Sequence, residues 1–460
     1  MFMVSLKFRA RFALLLAAAF CCSARAVVVH EHLLSNGMKV LVKEDRRAPV
    51  VVCMVWYRAG SIDEVNGTTG VAHVLEHMMF KGTKDLAAGE YSRTIARAGG
   101  RDNAFTNKDS TVYYSQLHKS QLPLALKLEA DRMANLNLSD DEFAREIRVV
   151  MEERRLRTDD QPRSLVYEAF NATTYQAHPY RTPVVGWMSD LENMRAEDAR
   201  EWYRSWYTPN NATLVVVGDV SAEEVFSEAQ RQFGAIPVRA LPPRKPQDEP
   251  LQRGTRRVAV KAPAELPYLL MGWHAPSLRN IEKDWVPYAL EMLAAVLDGS
   301  EAARLNRELI RTSRVAMAVG AGYDSANRGP SMFIVDGTPA PGKTVDELER
   351  ALRGQIRKIV EDGVSEDELK RVKAQVTAYQ VFQQDSMMGQ ARQIGALDNA
   401  GLPYDSLELQ AKKLKEVTSA QVQEAAKTYL VDDHLTVIEL SPQPLGDRKP
   451  AAQPPAEHRR

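Results

Sequence analysis

The sequence predicts an α+β fold built from two similar domains. Segments typical of strands and helices follow one order over residues 30–233, and a comparable order returns over 258–440. Between them, residues 239–256 contain four prolines and many charges without hydrophobic periodicity, which is typical of a linker. The halves also end alike, because the segments beginning at Trp206 and Thr428 both run from a helix end through a turn into an apolar strand. We therefore expect a duplication.

The first half opens with a β-hairpin and a central strand. Asn36 and Gly37 separate two apolar runs, which is a hairpin signal. Val50 to Tyr57 is apolar on both faces, which predicts a strand at the centre of a sheet. Ser139 and Glu142 form a capping-box pattern at the start of a long helix. Further strands are predicted over 101–107, 110–117 and 212–217, and helices over 70–80, 89–98, 121–136, 140–159, 162–173, 195–206 and 222–233.

The second half is predicted to contain the same kinds of element. Strands are predicted over 258–260, 268–273, 314–324, 331–338 and 435–440, and helices over 284–297, 301–311, 344–362, 365–384 and 419–430. We expect an N-terminal domain of residues 27–238, a linker of residues 239–256 and a C-terminal domain of residues 257–442. Residues 443–460 are rich in proline and charge, and we expect this tail to be disordered.

The N-terminus has the pattern of a cleavable export signal. Basic residues precede an apolar run over 12–22, which is too short to span a bilayer, and Ala24-Arg25-Ala26 resembles a cleavage site. We expect removal of residues 1–26 and a periplasmic or secreted mature chain; a retained anchor is the alternative. No later segment approaches the ~18 uninterrupted apolar residues that indicate a membrane span.

The composition describes a globular protein without a charge bias. Lys and Arg together number 60, as do Asp and Glu, so the formal net charge is zero. This balance gives no indication of binding to nucleic acid or to an anionic membrane. Once the signal is removed, Cys53 is the remaining cysteine, so no internal disulfide can form. Its apolar neighbours predict a small buried side chain.

The segment from Gly70 to Phe80 contains the pattern H-x-x-E-H. On a helix, His73 and His77 lie about one turn apart on one face, so both imidazoles can bind a single Zn²⁺. Glu76 lies toward the same side and can reach a water on that metal without being a ligand. This inverted form of H-E-x-x-H is a known signature of zinc peptidases. The alternative is an ordinary helix that happens to carry two histidines.

A catalytic zinc site also needs a third protein ligand if a water is to hold the fourth position. The predicted helix over 140–159 offers Glu146, Glu152 and Glu153. Glu146 and Glu153 share a helix face, whereas Glu152 points about 100° away from it. One of the facing pair can bind zinc while the other orients a ligand. Without H-x-x-E-H, the same glutamates would indicate only a solvated helix face.

These motifs resemble the pitrilysin/insulinase family of inverted-zincin metallopeptidases, in particular its short bacterial and mitochondrial-processing-peptidase-like members. The resemblance rests on His73-x-x-Glu76-His77 with its exit turn, the run from Glu146 to Glu153, the segments 103–114 and 207–219, and the two-domain layout. It implies two homologous α/β-sandwich domains, each a mostly antiparallel sheet packed with helices. Joined by the linker, they are similar to one half of a clamshell.

The resemblance also implies a role for each residue of the metal site. The family's metal ligands fall on His73, His77 and Glu153, with one Zn²⁺ per chain. Its general base falls on Glu76, and its supporting glutamate falls on Glu146. The implied function is a zinc-dependent endopeptidase that hydrolyses unfolded peptides or small polypeptides, in which Glu76 takes the proton of a zinc-activated water.

A substrate-binding strand is implied as well. The family's substrate-strand residues fall on Asn103, Ala104 and Phe105, beside which an unfolded peptide adds as a further strand. Strand addition makes main-chain contacts and therefore tolerates varied peptide sequences.

A partner chain is the last implication. In this family the other half of the clamshell contributes an Arg and a Tyr that hold the substrate and the oxyanion. The matching positions here hold Ile310 and Met317, which cannot donate a hydrogen bond; Arg311, Arg314 and Tyr323 are the alternative donors nearby. We expect a heterodimer with a homologous chain that supplies the Arg/Tyr pair, in preference to a homodimer. A non-catalytic scaffold or assembly subunit of the same family is the alternative function, and a hydrolase of non-peptide substrates has no sequence feature in its favour.

Overall fold

The computed structural model describes residues 28–445. These residues form two β-sheets, each covered by helices, so the predicted α+β class is confirmed. The predicted export signal over residues 1–26 and most of the predicted tail, residues 446–460, lie outside the described residues. Within 28–445, no helix combines the length and the apolar character that crossing a bilayer requires.

The first sheet has a buried central strand, as the apolar pattern predicts. Its strands are β1 (Val29–Leu33), β2 (Lys39–Glu44), β3 (Val50–Tyr57), β4 (Arg101–Thr106), β5 (Thr111–His118) and β6 (Ala212–Gly218). Their order is β1-β2-β6-β3-β5-β4, with β2 and β6 parallel and the other neighbours antiparallel. The predicted hairpin joins β1 to β2, and its Gly37 has a φ of 81°, which glycine adopts without strain.

The second sheet repeats the order of the first without an equivalent of β1. Its strands are β7 (Arg256–Pro263), β8 (Tyr268–Ala275), β9 (Ala316–Tyr323), β10 (Ser331–Pro339) and β11 (Leu435–Gln443). The order is β7-β11-β8-β10-β9, and only the β7–β11 pair within this described sheet is parallel. In both sheets the last strand of the half is inserted between the strands equivalent to β2 and β3. The shared topology is that of the predicted duplication.

Helices cover both sheets. Those of the first half are α1 (Val71–Met78), α2 (Glu90–Arg97), α3 (Leu122–Asn135), α4 (Asp140–Arg154), α5 (Pro162–Thr174), α6 (Met188–Asn193), α7 (Ala196–Trp206) and α8 (Ala222–Phe233). Those of the second half are α9 (Trp285–Asp298), α10 (Val345–Asp362), α11 (Glu366–Asp385), α12 (Met387–Ala400), α13 (Leu407–Glu416) and α14 (Ser419–Tyr429). Ser139 caps α4 by accepting the N–H of Glu142, which is half of the predicted capping box.

Two helices cross between the halves and pack on the other half's sheet. Helix α5 packs on the second sheet, where Val166 and Phe170 share an apolar cluster with Ile438. Helix α12 packs on the first sheet, on the face opposite α1, where Ile394 shares an apolar cluster with Trp56. Two apolar layers therefore join the halves in addition to the connecting segment.

The structure differs from the predicted elements in several places. Helix α6, and helices α12 and α13, occupy stretches for which no element is predicted. The predicted helix over 140–159 ends at Arg154 and continues as a π-helical turn over Arg155–Asp159. The predicted helix over 301–311 is a π-helical turn over Asn306–Thr312. Strand β11 runs to Gln443, because its parallel pairing with β7 continues beyond the predicted end at 440.

Candidate metal centre

Helix α1 carries H-x-x-E-H, and its start is fixed by a buried carboxylate. The side chain of Glu64 accepts the N–H of Gly70 at 2.8 Å and that of Ala72 at 2.9 Å. Gly70 has a φ of 87°, and a Cβ there would lie 2.5 Å from the carbonyl oxygen of Val185. Burial raises the pKa of Glu64 to about 8. The helix therefore begins at a position that only glycine fits.

His73 and His77 from α1 meet Glu153 from α4. Glu153 Oε2 lies 3.2 Å from His77 Nε2 and 3.8 Å from His73 Nε2. One ligand atom from each of the three residues lies within 4.8 Å of the others, and no other such group occurs among residues 28–445. Two imidazole nitrogens and one carboxylate oxygen form a donor set that suits Zn²⁺ and leaves its fourth position open. The residues therefore fit the metal that the sequence implies.

Glu146 contacts Nδ1 of His77, the ring nitrogen that does not face Glu153. Its Oε1 lies 2.9 Å from His77 Nδ1, and Lys81 Nζ donates to its Oε2 at 2.6 Å. A partner on the second ring nitrogen fixes the orientation of a ligating histidine and strengthens its binding. His73 differs, because its Nδ1 is buried without a hydrogen-bond partner among the described residues.

The side chains of the three glutamates on α4 point in different directions. Glu152 is 57% exposed and pairs with Arg155 at 3.1 Å, so it points away from the histidines. The outer oxygen of Glu153, Oε1, pairs with Arg157 one turn later. This contact leaves Oε2 directed at His73 and His77. Of the alternatives that the sequence offers, the structure brings Glu153 to the cluster and Glu146 to the ring behind it.

The electrostatics of the site favour one proton between His77 and Glu153. Burial lowers the pKa of His77, but its hydrogen bonds to Glu146 and Glu153 outweigh burial and raise this pKa to about 9. Burial raises the pKa of Glu153, but the hydrogen bond from His77 and the charges of His73 and Arg157 outweigh it, so the net pKa is lowered. Burial and the charge of His77 lower the pKa of His73, which favours its neutral, ligating form. Metal binding would displace the shared proton.

Glu76 lies beside the cluster and is held by the neighbouring edge strand. Thr106 Oγ1, at the end of β4, donates a hydrogen bond to Glu76 Oε2. Burial raises the pKa of Glu76, and the bond from Thr106 opposes this rise. Glu76 does not belong to the group of ligand atoms that His73, His77 and Glu153 form.

The predicted substrate residues lie on β4, which is an edge strand of the described sheet and packs beside α1. Ala104 packs toward the core that α1 shares, and its N–H is bonded to Asn103 Oδ1 at 2.8 Å. Phe105 points to the opposite face, where its ring meets Trp56 edge-on at 5.9 Å between centroids. The Arg392 guanidinium of α12 lies 5.4 Å from the same ring.

The second half offers no equivalent of this site in the described residues. Ile310 lies in the π-helical turn and packs against the second core, while Met317 lies on β9 and is 47% exposed. Among the alternative donors, Arg311 pairs with Glu301 at 2.6 Å, and the Tyr323 hydroxyl donates to the carbonyl of Pro276. Arg314 has a φ of 51°, in the left-handed region.

Three contacts at the site were not anticipated from the sequence. Lys81 lies four residues after His77, and Arg157 lies four residues after Glu153, so helical spacing alone could have indicated both. Thr106 follows the predicted substrate residues directly, but its contact with Glu76 depends on how β4 and α1 pack, which no spacing encodes.

A duplicated fold with an H-x-x-E-H helix in one half defines a class of metallopeptidase-like proteins. A family model described as "Insulinase (Peptidase family M16)" matches residues 39–186, and one described as "Peptidase M16 inactive domain" matches residues 193–376. The chain belongs to the insulinase family of peptidases, M16, as the sequence motifs predict. The match described as "inactive" begins within the first half, after His73, His77 and Glu153, and continues into the second half.

Named relatives and solved structures agree with this family assignment. Over 351 residues the chain is 33% identical to "Zinc protease PqqE" of Helicobacter pylori, covering 75% of this chain and 78% of that protein. A protease structure from Helicobacter pylori superposes with a TM-score of 0.85 at 29% identity, covering 90% of this chain and 100% of that chain. The periplasmic protease PqqL from Escherichia coli shares the fold at 17% identity with a TM-score of 0.76; 90% of this chain covers 48% of that chain.

Proposed function

We propose that this chain is a zinc-dependent endopeptidase that hydrolyses unfolded peptides or small polypeptides. The observation that carries the proposal is the convergence of His73, His77 and Glu153, with Glu76 beside them and Glu146 behind His77. The zinc-protease name of the Helicobacter pylori relative supports the same metal and the same class of reaction.

In this proposal His73, His77 and Glu153 hold one Zn²⁺. The metal supplies Lewis-acid chemistry, which activates a water and polarises the carbonyl of the scissile bond. Glu76 accepts the proton of the attacking water at its carboxylate and returns it to the leaving amine. Glu146 keeps the His77 ring in its ligating orientation.

The backbone of β4 is available to a peptide. The N–H of Asn107 donates to the carbonyl of Ser110 at 2.9 Å where the β4–β5 hairpin closes. Because residues that bond the neighbouring strand alternate with residues that do not, the carbonyl of the preceding residue, Thr106, points away from β5. By alternation, Ala104 also presents its N–H and C=O to the outside, and Asn103 Oδ1 bonds that N–H. A peptide strand that replaces the Asn103 contact would pair with the edge of the sheet.

The proposal includes a partner chain. Ile310 and Met317 offer no hydrogen-bond donor, and the polar groups of Arg311 and Tyr323 are engaged within the second half. Loss of one oxyanion donor commonly costs about 10²–10³ in rate. The same fold also forms about half of the longer PqqL chain. We infer a heterodimer in which a homologous chain supplies an Arg and a Tyr, with a homodimer as the less favoured assembly.

Export completes the proposal. The signal-like residues 1–26 favour a periplasmic or secreted chain, and so does the fold shared with PqqL, which is described as a periplasmic protease. N-terminal sequencing of the exported protein should begin at Val27, and a mature chain that retains residues 1–26 would contradict the interpretation. The domain limits 27–238, 239–256 and 257–442 stay predictions.

Turnover of a quenched peptide by the purified chain, before and after removal of zinc, tests the function. We expect weak cleavage by the chain alone, a large increase with a homologous chain that keeps the Arg/Tyr pair, and no cleavage after chelation. A protein that binds no zinc and cleaves nothing with any partner would be the scaffold subunit. Full activity of the lone chain, unchanged by any partner, would contradict the heterodimer.

A further inference from the structure

We propose that Thr106 is the residue that positions the general base, and that it couples substrate binding on β4 to the carboxylate of Glu76. This inference rests on the proposed function. Thr106 Oγ1 is the one hydrogen-bond donor to the Glu76 side chain among residues 28–445. Its bond goes to Oε2 and leaves Oε1 as the oxygen that takes the proton.

The position of Thr106 on its strand gives it two separate contacts. Side chains alternate along β4, and Ala104 and Thr106 project to the side of α1, whereas Phe105 projects to the side of α12. The carbonyl of Thr106 points outward, where a bound peptide would pair. A single residue therefore joins the peptide-accepting edge to the base.

The hydroxyl of Thr106 also lies beside that of a second threonine, Thr111. Thr111 lies directly opposite on β5, with its Oγ1 at 3.5 Å from Thr106 Oγ1, and donates its own proton to the carbonyl of Ala59 at 3.0 Å. Thr106 therefore faces two acceptors, the Thr111 oxygen at 3.5 Å and the Glu76 carboxylate, and the carboxylate is the closer and the stronger acceptor of its proton. Thr111 is fully buried, which restricts alternative arrangements of this pair.

A carboxylate that must first accept and then return a proton benefits from one fixed orientation. Without the Thr106 hydroxyl, the Glu76 side chain has no remaining hydrogen-bond partner among the described residues and can turn about its own torsions. Ground-state binding of the peptide would be unaffected, because the peptide contacts the backbone of β4. The expected signature is a loss in kcat with KM unchanged.

The decisive variants are Thr106→Val, which keeps the shape and removes the hydroxyl, and Thr106→Ser, which keeps the hydroxyl. The matched control is Thr213→Val on β6 of the same sheet, which also removes a hydroxyl bonded to a carboxylate, that of Asp398 at 2.7 Å. All variants are assayed as full-length protein with the quenched peptide and the partner chain, and their zinc content is measured.

We expect Thr106→Val to lower kcat about 10- to 100-fold with KM and zinc content unchanged, since hydrogen bonds to charged groups are among the stronger ones. Thr106→Ser should restore most of the rate, and Thr213→Val should match the wild type. In the Glu76→Gln background, Thr106→Val should have no further effect. Wild-type kcat in Thr106→Val, or a change confined to KM or to zinc content, would overturn the inference.

The crystal structure of Thr106→Val tests whether Thr106 fixes the orientation of Glu76, even if the wild-type protein cleaves no peptide. We expect Glu76 to leave its wild-type orientation while α1 and the three metal-facing residues keep theirs. An unmoved Glu76 would overturn the inference. An inactive wild-type protein with a displaced Glu76 in the variant would contradict the proposed function alone.

Discussion

The two halves of the molecule share one strand order and differ in the helix that packs beside the edge strand. In the first half this helix is α1, which carries His73, Glu76 and His77 beside β4. In the second half it is α9, which packs against β9 and whose buried residues are apolar apart from the Tyr288 hydroxyl. The shared topology thus supplies an edge strand twice, but a group of side chains that could hold a metal ion occurs once among the described residues.

The same comparison applies to one partly buried glutamate in each half, Glu76 and Glu291. Glu76 of α1 accepts a hydrogen bond from the hydroxyl of Thr106 on the edge strand. Glu291 of α9 accepts one from the hydroxyl of Ser325 at 2.5 Å. Burial raises the pKa of both carboxyl groups, that of Glu291 to about 7. Only Glu76 lies next to the candidate metal cluster. A partly buried acid that accepts a hydrogen bond from a hydroxyl therefore occurs in both halves, and its neighbours decide whether it can take part in chemistry.

The crossing helices show a third contrast, at equivalent positions in the two sheets. Trp56 of β3 pairs with Thr213, the second residue of β6. Gly272 of β8 pairs with Thr436, the second residue of β11. The first sheet thus presents a large side chain at the position where the second sheet presents none.

The helices that cover these positions are complementary. Helix α12 places Gly395 against Trp56, where a Cβ would lie 2.1 Å from the indole ring. Helix α5 places Phe170 against Gly272, where a Cβ would lie 2.2 Å from the phenyl ring. Glycine and aromatic residue have exchanged places between sheet and helix, so each crossing helix fits only one of the two sheets.

The largest expected effect distinguishes Glu76 from Glu291. Glu76→Gln should lower peptide turnover by about 10²–10⁴-fold while zinc content stays at one per chain, because an amide cannot accept the proton of water. Glu291→Gln is the matched control and should leave turnover unchanged. Assays of both variants with metal analysis decide the matter, and substantial residual turnover in Glu76→Gln would remove Glu76 as the base.

The next effect distinguishes glutamates on one helix. Glu146→Gln should weaken zinc binding about 10- to 100-fold, because the ligand His77 loses its charged partner. Glu152→Gln on the exposed face of α4 should leave the affinity unchanged. Competition with a chelator of known affinity measures both. Equal affinities would mean that Glu146 does not support the metal site.

A smaller effect concerns the fit of the crossing helix. Gly395→Ala should lower the free energy of unfolding by about 1–3 kcal/mol, because the added methyl group overlaps the Trp56 ring. Gly354→Ala in the middle of α10 has open space around it and should raise stability by up to ~1 kcal/mol. Denaturant titrations provide the comparison, and a neutral Gly395→Ala would contradict the tight packing between α12 and the first sheet.

The last effect depends on pH and lies in the second half. The pKa of Glu291 is raised from 4.5 to about 7, so its stabilising contribution is complete below pH 4.5 and is lost as the pH rises through 7. Glu291→Gln should therefore melt like the wild type near pH 4.5 and be more stable at pH 8. At about 1.4 kcal/mol per pKa unit the gain is at most about 3.5 kcal/mol. An equal stability difference between Glu291→Gln and the wild type at both pH values would exclude the raised pKa of Glu291 as its cause.

The sequence predicts the parts of this molecule that depend on spacing along one element. His73, Glu76 and His77 share a helix, so their mutual geometry follows from helical periodicity. Glu153 is different, because spacing within α4 admits Glu146 as well, and the choice between them needed the family resemblance. The structure separates them through the packing of α4 against α1, which brings Glu153 to one ring nitrogen of His77 and Glu146 to the other.

The elements that were not predicted depend on contacts between distant segments. Helix α12 contains Gly389 and Gly395, which disfavour a helix locally, and the close approach to Trp56 explains why Gly395 is there. The crossing of α5 and α12 between sheets leaves no mark in their periodicity. Thr106 likewise depends on the packing of a strand end against a helix.

Diffraction at the zinc absorption edge, from crystals of the full chain grown with zinc, tests the central claim most directly. We predict one strong anomalous site in the first half, with nitrogen atoms of His73 and His77 and an oxygen of Glu153 each within about 2.0–2.2 Å. Glu76 should lie beside the site without coordinating it. A site at which Glu146 or Glu152 replaces Glu153, or zinc bound only elsewhere on the chain, would contradict the account.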